Sequence, residues 1–204
     1  MKMVAKRAPT PAQEVANAVT MFAPLSAMLV VMCLHGWWER WPANVVFFAT
    51  LVHAPVSATY HIRCALKLDK ERLGNAYHRS DQTMNHVVCA SCAIALQGSS
   101  SFTYALSAAG FNAVSACLLW RPSPTASSSP FVHARLFCGS MLYLLPIGWH
   151  EGWGQFGIAL ALFVLAVALF ALSPGPLRGF GHAISHLVMA PLGLLVLQAA
   201  ARRA

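Results

Sequence analysis

GFGHAISHLVMAPLGLLVLQAA, residues 179–200, is apolar for most of its length but opens on two imidazoles. At 1.5 Å per residue it is long enough to cross the roughly 30 Å hydrocarbon core of a bilayer as a helix. In a helix, His182 and His186 are four residues apart and share one face. A segment suited to lipid therefore holds either two buried polar groups satisfied by neighbouring helices or two nitrogen ligands for a common ion.

The remainder of the chain decides the setting. Of 204 residues, 57% are hydrophobic and 10% charged, with mean hydropathy +0.57, whereas a soluble domain carries about 25% charged residues. Further span-length apolar runs lie at 15–36, 43–66, 81–98, 102–120, 131–150 and 154–173. Together with 179–200 they predict an all-α polytopic membrane protein, a seven-transmembrane helix bundle. Its single domain is expected to occupy 15–200, between a short cytosolic tail at 1–14 and a C-terminal tail at 201–204.

The first run follows Lys2, Lys6 and Arg7 and is too long for a signal-peptide core, so it reads as an uncleaved signal anchor. Pro42, Gly98-Ser99-Ser100-Ser101, Arg121-Pro122-Ser123-Pro124 and Ser173-Pro174-Gly175-Pro176 supply loop chemistry at the breaks. The third and fourth runs are rich in Ala, Ser, Asn and Cys, which suits helices packed within a bundle. Trp37, Trp38, Trp41, Trp120, Trp149 and Trp153 fall near span ends, where amphipathic rings anchor at the interface.

A net charge of +8 raises the question of nucleic acid, but the distribution of charge argues otherwise. Of the 14 Lys and Arg residues, only Arg40, Arg202 and Arg203 fall on the side of the predicted topology opposite the N-terminus. Such a bias predicts a cytosolic N-terminus and basic loops meeting anionic headgroups. The six cysteines lie in or beside spans, which favours buried thiols over a disulfide framework; Cys89-Ala90-Ser91-Cys92 has redox spacing but no βαβ setting.

Ionisable groups inside a membrane are costly and default to functional candidates. Glu14, Glu39, Asp69, Glu71 and Glu151 can be placed in tails, loops or interfaces, leaving Asp81 at the mouth of the third span. In VSATYHIRC, residues 56–64, Ser57 and His61 repeat the four-residue spacing. The loop charges put Ser57, His61, Asp81, His182 and His186 at one depth, towards the cytosolic boundary. His35 and His150 fall at the opposite boundary. His53 is about 12 Å along the helix from His61, and His78, His86 and His133 suit interfacial or helix-bridging roles.

Each of these residues has a plainer reading. His182 and His186 could be satisfied bundle histidines, His61 could snorkel to headgroups, Ser57 could bond back to a helix carbonyl, and Asp81 could cap its helix. A transporter or metal-free structural bundle would use them in this way, although a through-path would need polar residues at both ends.

The order SxxxH (Ser57 to His61), Asp (Asp81) and HxxxH (His182 to His186) resembles the CREST superfamily of seven-span membrane proteins. That group includes alkaline ceramidases, progestin and adipoQ receptors, and lipid-remodelling proteins acting on GPI anchors. The resemblance implies Zn2+ held by His61, His182 and His186, with Asp81 and Ser57 as the catalytic residues. It further implies hydrolysis of an amide or ester bond in a membrane lipid, ceramide-like or phospholipid, in the endoplasmic reticulum or Golgi rather than the plasma membrane. The receptor branch implies signalling with a structural or ancillary zinc. The charged segment between His61 and Asp81, with Lys67-Leu68-Asp69-Lys70-Glu71-Arg72, is longer than the turn found in several branches of the superfamily.

Overall fold

The computed structural model describes residues 8–97, 101–121, 130–172 and 177–203. Lys2, Lys6, Arg7 and most of the polar breaks at 98–101, 121–124, 126–129 and 173–176 lie outside them. Helix α1 (Pro11–Thr20) starts where the Thr10 and Gln13 side chains each satisfy the other's backbone N–H and Pro11 occupies the first turn. After Met21, α2 (Phe22–His35) runs until Gly36 takes the left-handed conformation at φ 63°. A short 3-10 turn (Trp37–Glu39) leads into α3 (Trp41–Ala65). Then follow α4 (Ala76–Gln97), α5 (Phe102–Leu119), α6 (Pro130–Glu151), α7 (Trp153–Leu172) and α8 (Gly181–Ala201). Among the described residues there is no strand.

From α3 to α8, helices adjacent in sequence pack side by side, and α8 closes the ring against α1 and α2; α3 and α4 also meet α8 across the interior. Among the described residues, six segments are long and apolar enough to cross a membrane: Pro11–His35, Trp41–Ala65, Phe102–Leu119, Phe131–Glu151, Trp153–Leu172 and Gly181–Ala201. The chain is an integral membrane protein by that measure. The expected third span is covered by α4, a helix of 22 residues that is more polar than these six. The physical reason is its position: α4 packs against α3, α5, α6 and α8, so it meets protein where a peripheral span meets lipid. By contrast, α7 presents Ile158, Val164, Leu165 and Val167 outwards.

The predicted tail at 1–14 ends in helix from Pro11 onwards, with Glu14 buried. At the other terminus α8 includes Ala201, and Arg202 and Arg203 both pair with Glu151, the last residue of α6.

Small residues allow close helix approach, with Ala43, Ala93, Ala108, Ala159 and Ala200 fully or nearly fully buried. Between α4 and α5, His86 Nδ1 lies 2.8 Å from Asn112 Oδ1, and Asn112 Nδ2 donates to the Ala108 carbonyl. Gly139 on α6 makes room for this pair, since a Cβ there would come within 2.4 Å of Asn112 Oδ1. Here His86 has the helix-bridging role expected of it. Cys89 and Cys92 are buried free thiols.

Candidate metal centre

The N-terminal end of α1, the C-terminal end of α3 and the N-terminal ends of α4 and α8 meet at one end of the bundle. The same end carries the basic residues of the α3–α4 connection, and Arg79 Nη1 there donates to the Arg121 carbonyl. The histidine depth inferred from loop charge and the clustering in space therefore agree.

His61, His182 and His186 come together. Their ring centres are 4.9 Å apart for His61 and His182, 4.6 Å for His182 and His186, and 6.2 Å for His61 and His186. Three imidazoles sharing a tetrahedral zinc at about 2.0–2.1 Å would have centres roughly 5 Å apart. Among the described residues, no three His, Cys, Asp or Glu side chains already have their donor atoms gathered to hold one ion. Two of the three ring spacings are close to that value, and the third, His61 to His186, is wider.

Hydrogen bonding supplies the chemical test of fit. His61 is 0% exposed, and its Nδ1 lies 2.7 Å from Glu14 Oε2. A carboxylate only accepts, so Nδ1–H donates, and in the neutral imidazole the lone pair is on Nε2. That Nε2 is buried and has no hydrogen-bond partner. His186 Nδ1 lies 3.0 Å from Thr20 Oγ1, whose hydroxyl donates to the Ala16 carbonyl at 2.8 Å. With its hydroxyl spent on that carbonyl, the Thr20 oxygen is an acceptor for His186 Nδ1–H, and in the neutral ring with that tautomer the lone pair is on Nε2; the Asn17 backbone is a further partner of the ring. Outer partners that fix the tautomer and leave Nε2 available are the usual support of metal-bound histidine. The donor set therefore fits zinc.

Local structure explains how α8 delivers its pair. In the turn before it, Gly179 adopts φ +89°, and a Cβ there would sit on the Gln13 side chain, which donates to the Arg178 carbonyl at 2.5 Å. Helix α1 is thereby fastened beside His182, whose ring also stands edge-on to Phe170, with centres 4.8 Å apart.

Asp81 and Ser57 are also brought together. Ser57 is buried on α3, and its side chain reaches the Asp81 carboxyl. His53, set apart from the trio by its distance along α3, lies against Asp81 instead, with Nε2 3.6 Å from Oδ1. Neither of those two atoms has a hydrogen-bond partner. On α3, residues 53, 57 and 61 follow the four-residue repeat of one helix face, so a single face serves both Asp81 and the histidine trio. His78 is buried and its ring packs beside Tyr60 of α3, 5.2 Å centre to centre, the helix-bridging alternative of the two roles expected of it.

The sequence reading missed the residues behind the trio. Glu14, placed in the tail, is 2% exposed and contacts both His61 and Arg72. Arg72, from the α3–α4 connection, puts Nε at 2.8 Å and Nη2 at 2.7 Å from Glu14 Oε1. Burial alone would lower its pKa, yet nearby groups including the Glu14 carboxylate hold it above its ordinary value. The available signal was Glu14, Asn17 and Thr20, a polar stripe at three-residue spacing on an otherwise apolar segment; starting the span at residue 15 cut it in two.

Fold and site together define an all-helical membrane bundle with a histidine trio at its more basic end. No protein-family model, curated protein or solved structure matches the chain.

Proposed function

We propose that the protein is a zinc-dependent intramembrane hydrolase that cleaves an amide or ester bond of a membrane lipid, either ceramide-like or a phospholipid. The observation that carries this reading is the buried, unpartnered Nε2 of His61 beside His182 and His186, with its Nδ1 held by Glu14. The order of Ser57, His61, Asp81, His182 and His186 adds the resemblance to the CREST superfamily. Zinc held by three neutral imidazoles supplies Lewis acidity towards a carbonyl oxygen and acidifies water.

The chain's own groups supply the rest. His61, His182 and His186 are the ligands, and Glu14 and Thr20 hold two of them in the tautomer that leaves Nε2 free. Asp81 is the general base that takes a proton from water, and it returns that proton to the departing amine or alcohol. Ser57 steadies the carboxylate or donates to the oxygen on which charge develops. The hydrocarbon around the bundle brings lipid to this end laterally; the basic loops support a cytosolic-side site, and the resemblance to the CREST superfamily implies an endoplasmic reticulum or Golgi membrane.

The test is hydrolysis of ceramides and phospholipids by detergent-purified protein, comparing wild type with Asp81→Asn. The variant is expected to keep its zinc and lose activity by about 10²–10⁴-fold, the usual share of a general base. Zinc-loaded wild type that turns over no lipid of either class would contradict the hydrolase and favour the receptor-type reading.

A further inference from the structure

Glu14 divides its carboxylate between two neighbours. Oε2 faces His61 at 2.7 Å and Asn17 Nδ2 at 3.3 Å. Oε1 takes both contacts from Arg72. The carboxylate and the imidazole are buried, whereas the Arg72 side chain is 35% exposed and reaches in from the segment joining α3 to α4. We infer that Arg72 is a positioning residue for the metal centre: by occupying Oε1 it keeps Oε2 on His61, so the α3–α4 connection controls how tightly the ion is held.

The inference rests on the zinc reading of His61, His182 and His186. Its physical basis is that a buried carboxylate without a counter-charge is strongly destabilised. With Arg72 gone, Oε1 loses its donor, and Glu14 is no longer held where His61 Nδ1 can use it. Outer-shell partners of this kind change metal affinity by about 10–100-fold. Lysine is a poor replacement because it offers a point charge in place of a fork.

A second ion pair in the same segment separates positioning from simple tethering. Arg63 on α3 makes two 3.0 Å contacts with Asp69, one to each carboxylate oxygen, and neither residue is in the Glu14 chain of contacts. Disrupting that pair loosens the connection without touching the relay to His61.

The experiment measures zinc retention by the purified full chain in detergent against a graded competing chelator, at matched thermal unfolding. Wild type, Arg72→Gln, Arg72→Lys, Glu14→Gln, the Arg72→Gln and Glu14→Gln double variant, and Asp69→Asn are compared. Arg72→Gln and Glu14→Gln are each expected to weaken retention about 10–100-fold, and the double variant no more than Glu14→Gln alone, because both act through one contact. Arg72→Lys should fall between wild type and Arg72→Gln, and it carries the test if Arg72→Gln does not fold. Asp69→Asn should match wild type. Unchanged retention in both Arg72 variants, or an equal loss in Asp69→Asn, would overturn the role of Arg72 and leave the zinc site standing. Wild type that holds no zinc would remove both.

Discussion

His61 and His86 are both buried histidines inside the same bundle, but their surroundings differ. His86 meets a neutral amide, Asn112, which is itself bonded to its own helix backbone. His61 meets a carboxylate on one side and has an unpartnered nitrogen on the other, next to two more imidazoles. The first arrangement is closed, linking α4 to α5. The second is open, with a buried nitrogen that no protein group satisfies, as at His53 and His150, but here with two further imidazoles beside it. Burial alone therefore does not separate helix glue from a ligand. An unpartnered nitrogen that faces two further imidazoles is what sets His61 apart.

Exchanging each histidine in turn gives the largest contrast. His61→Ala is expected to abolish stoichiometric zinc binding, whereas His86→Ala should leave zinc content unchanged. The His86 variant should instead lose about 1–3 kcal/mol of stability, because Asn112 is left without its buried partner. Elemental analysis and thermal unfolding of the same preparations read both effects. Zinc loss in His86→Ala at matched folding would erase the distinction.

A smaller effect sharpens it. Thr20→Val removes the acceptor for His186 Nδ1 while keeping the shape of the side chain. The expected cost is about 1 kcal/mol of zinc affinity, or roughly fivefold, as for a typical hydrogen bond. Chelator competition at fixed pH would show it, and an unaltered affinity would mean that Thr20 does not set the His186 tautomer.

Local and long-range information in the chain were legible to different degrees. The apolar runs and the four-residue spacings of Ser57 with His61 and His182 with His186 are properties of one helix, so they could be read directly. The common end of the bundle followed from the sorting of Lys and Arg among the loops. Helix α4 is harder to read as a span, because hydropathy averages composition and ignores whether a polar residue faces lipid or another helix. Arg72 and His53 were missed for another reason: their partners, Glu14 and Asp81, lie 58 and 28 positions away, and helix rotation, which sequence does not specify, decides whether they meet.

The most direct measurement is the metal content of detergent-purified wild type, beside a His182→Ala, His186→Ala double variant at matched folding. About one zinc per chain in wild type, lost in the double variant, is the predicted result. A well-folded wild type that takes up no zinc when it is resupplied would contradict the metal centre and return the three histidines to helix packing.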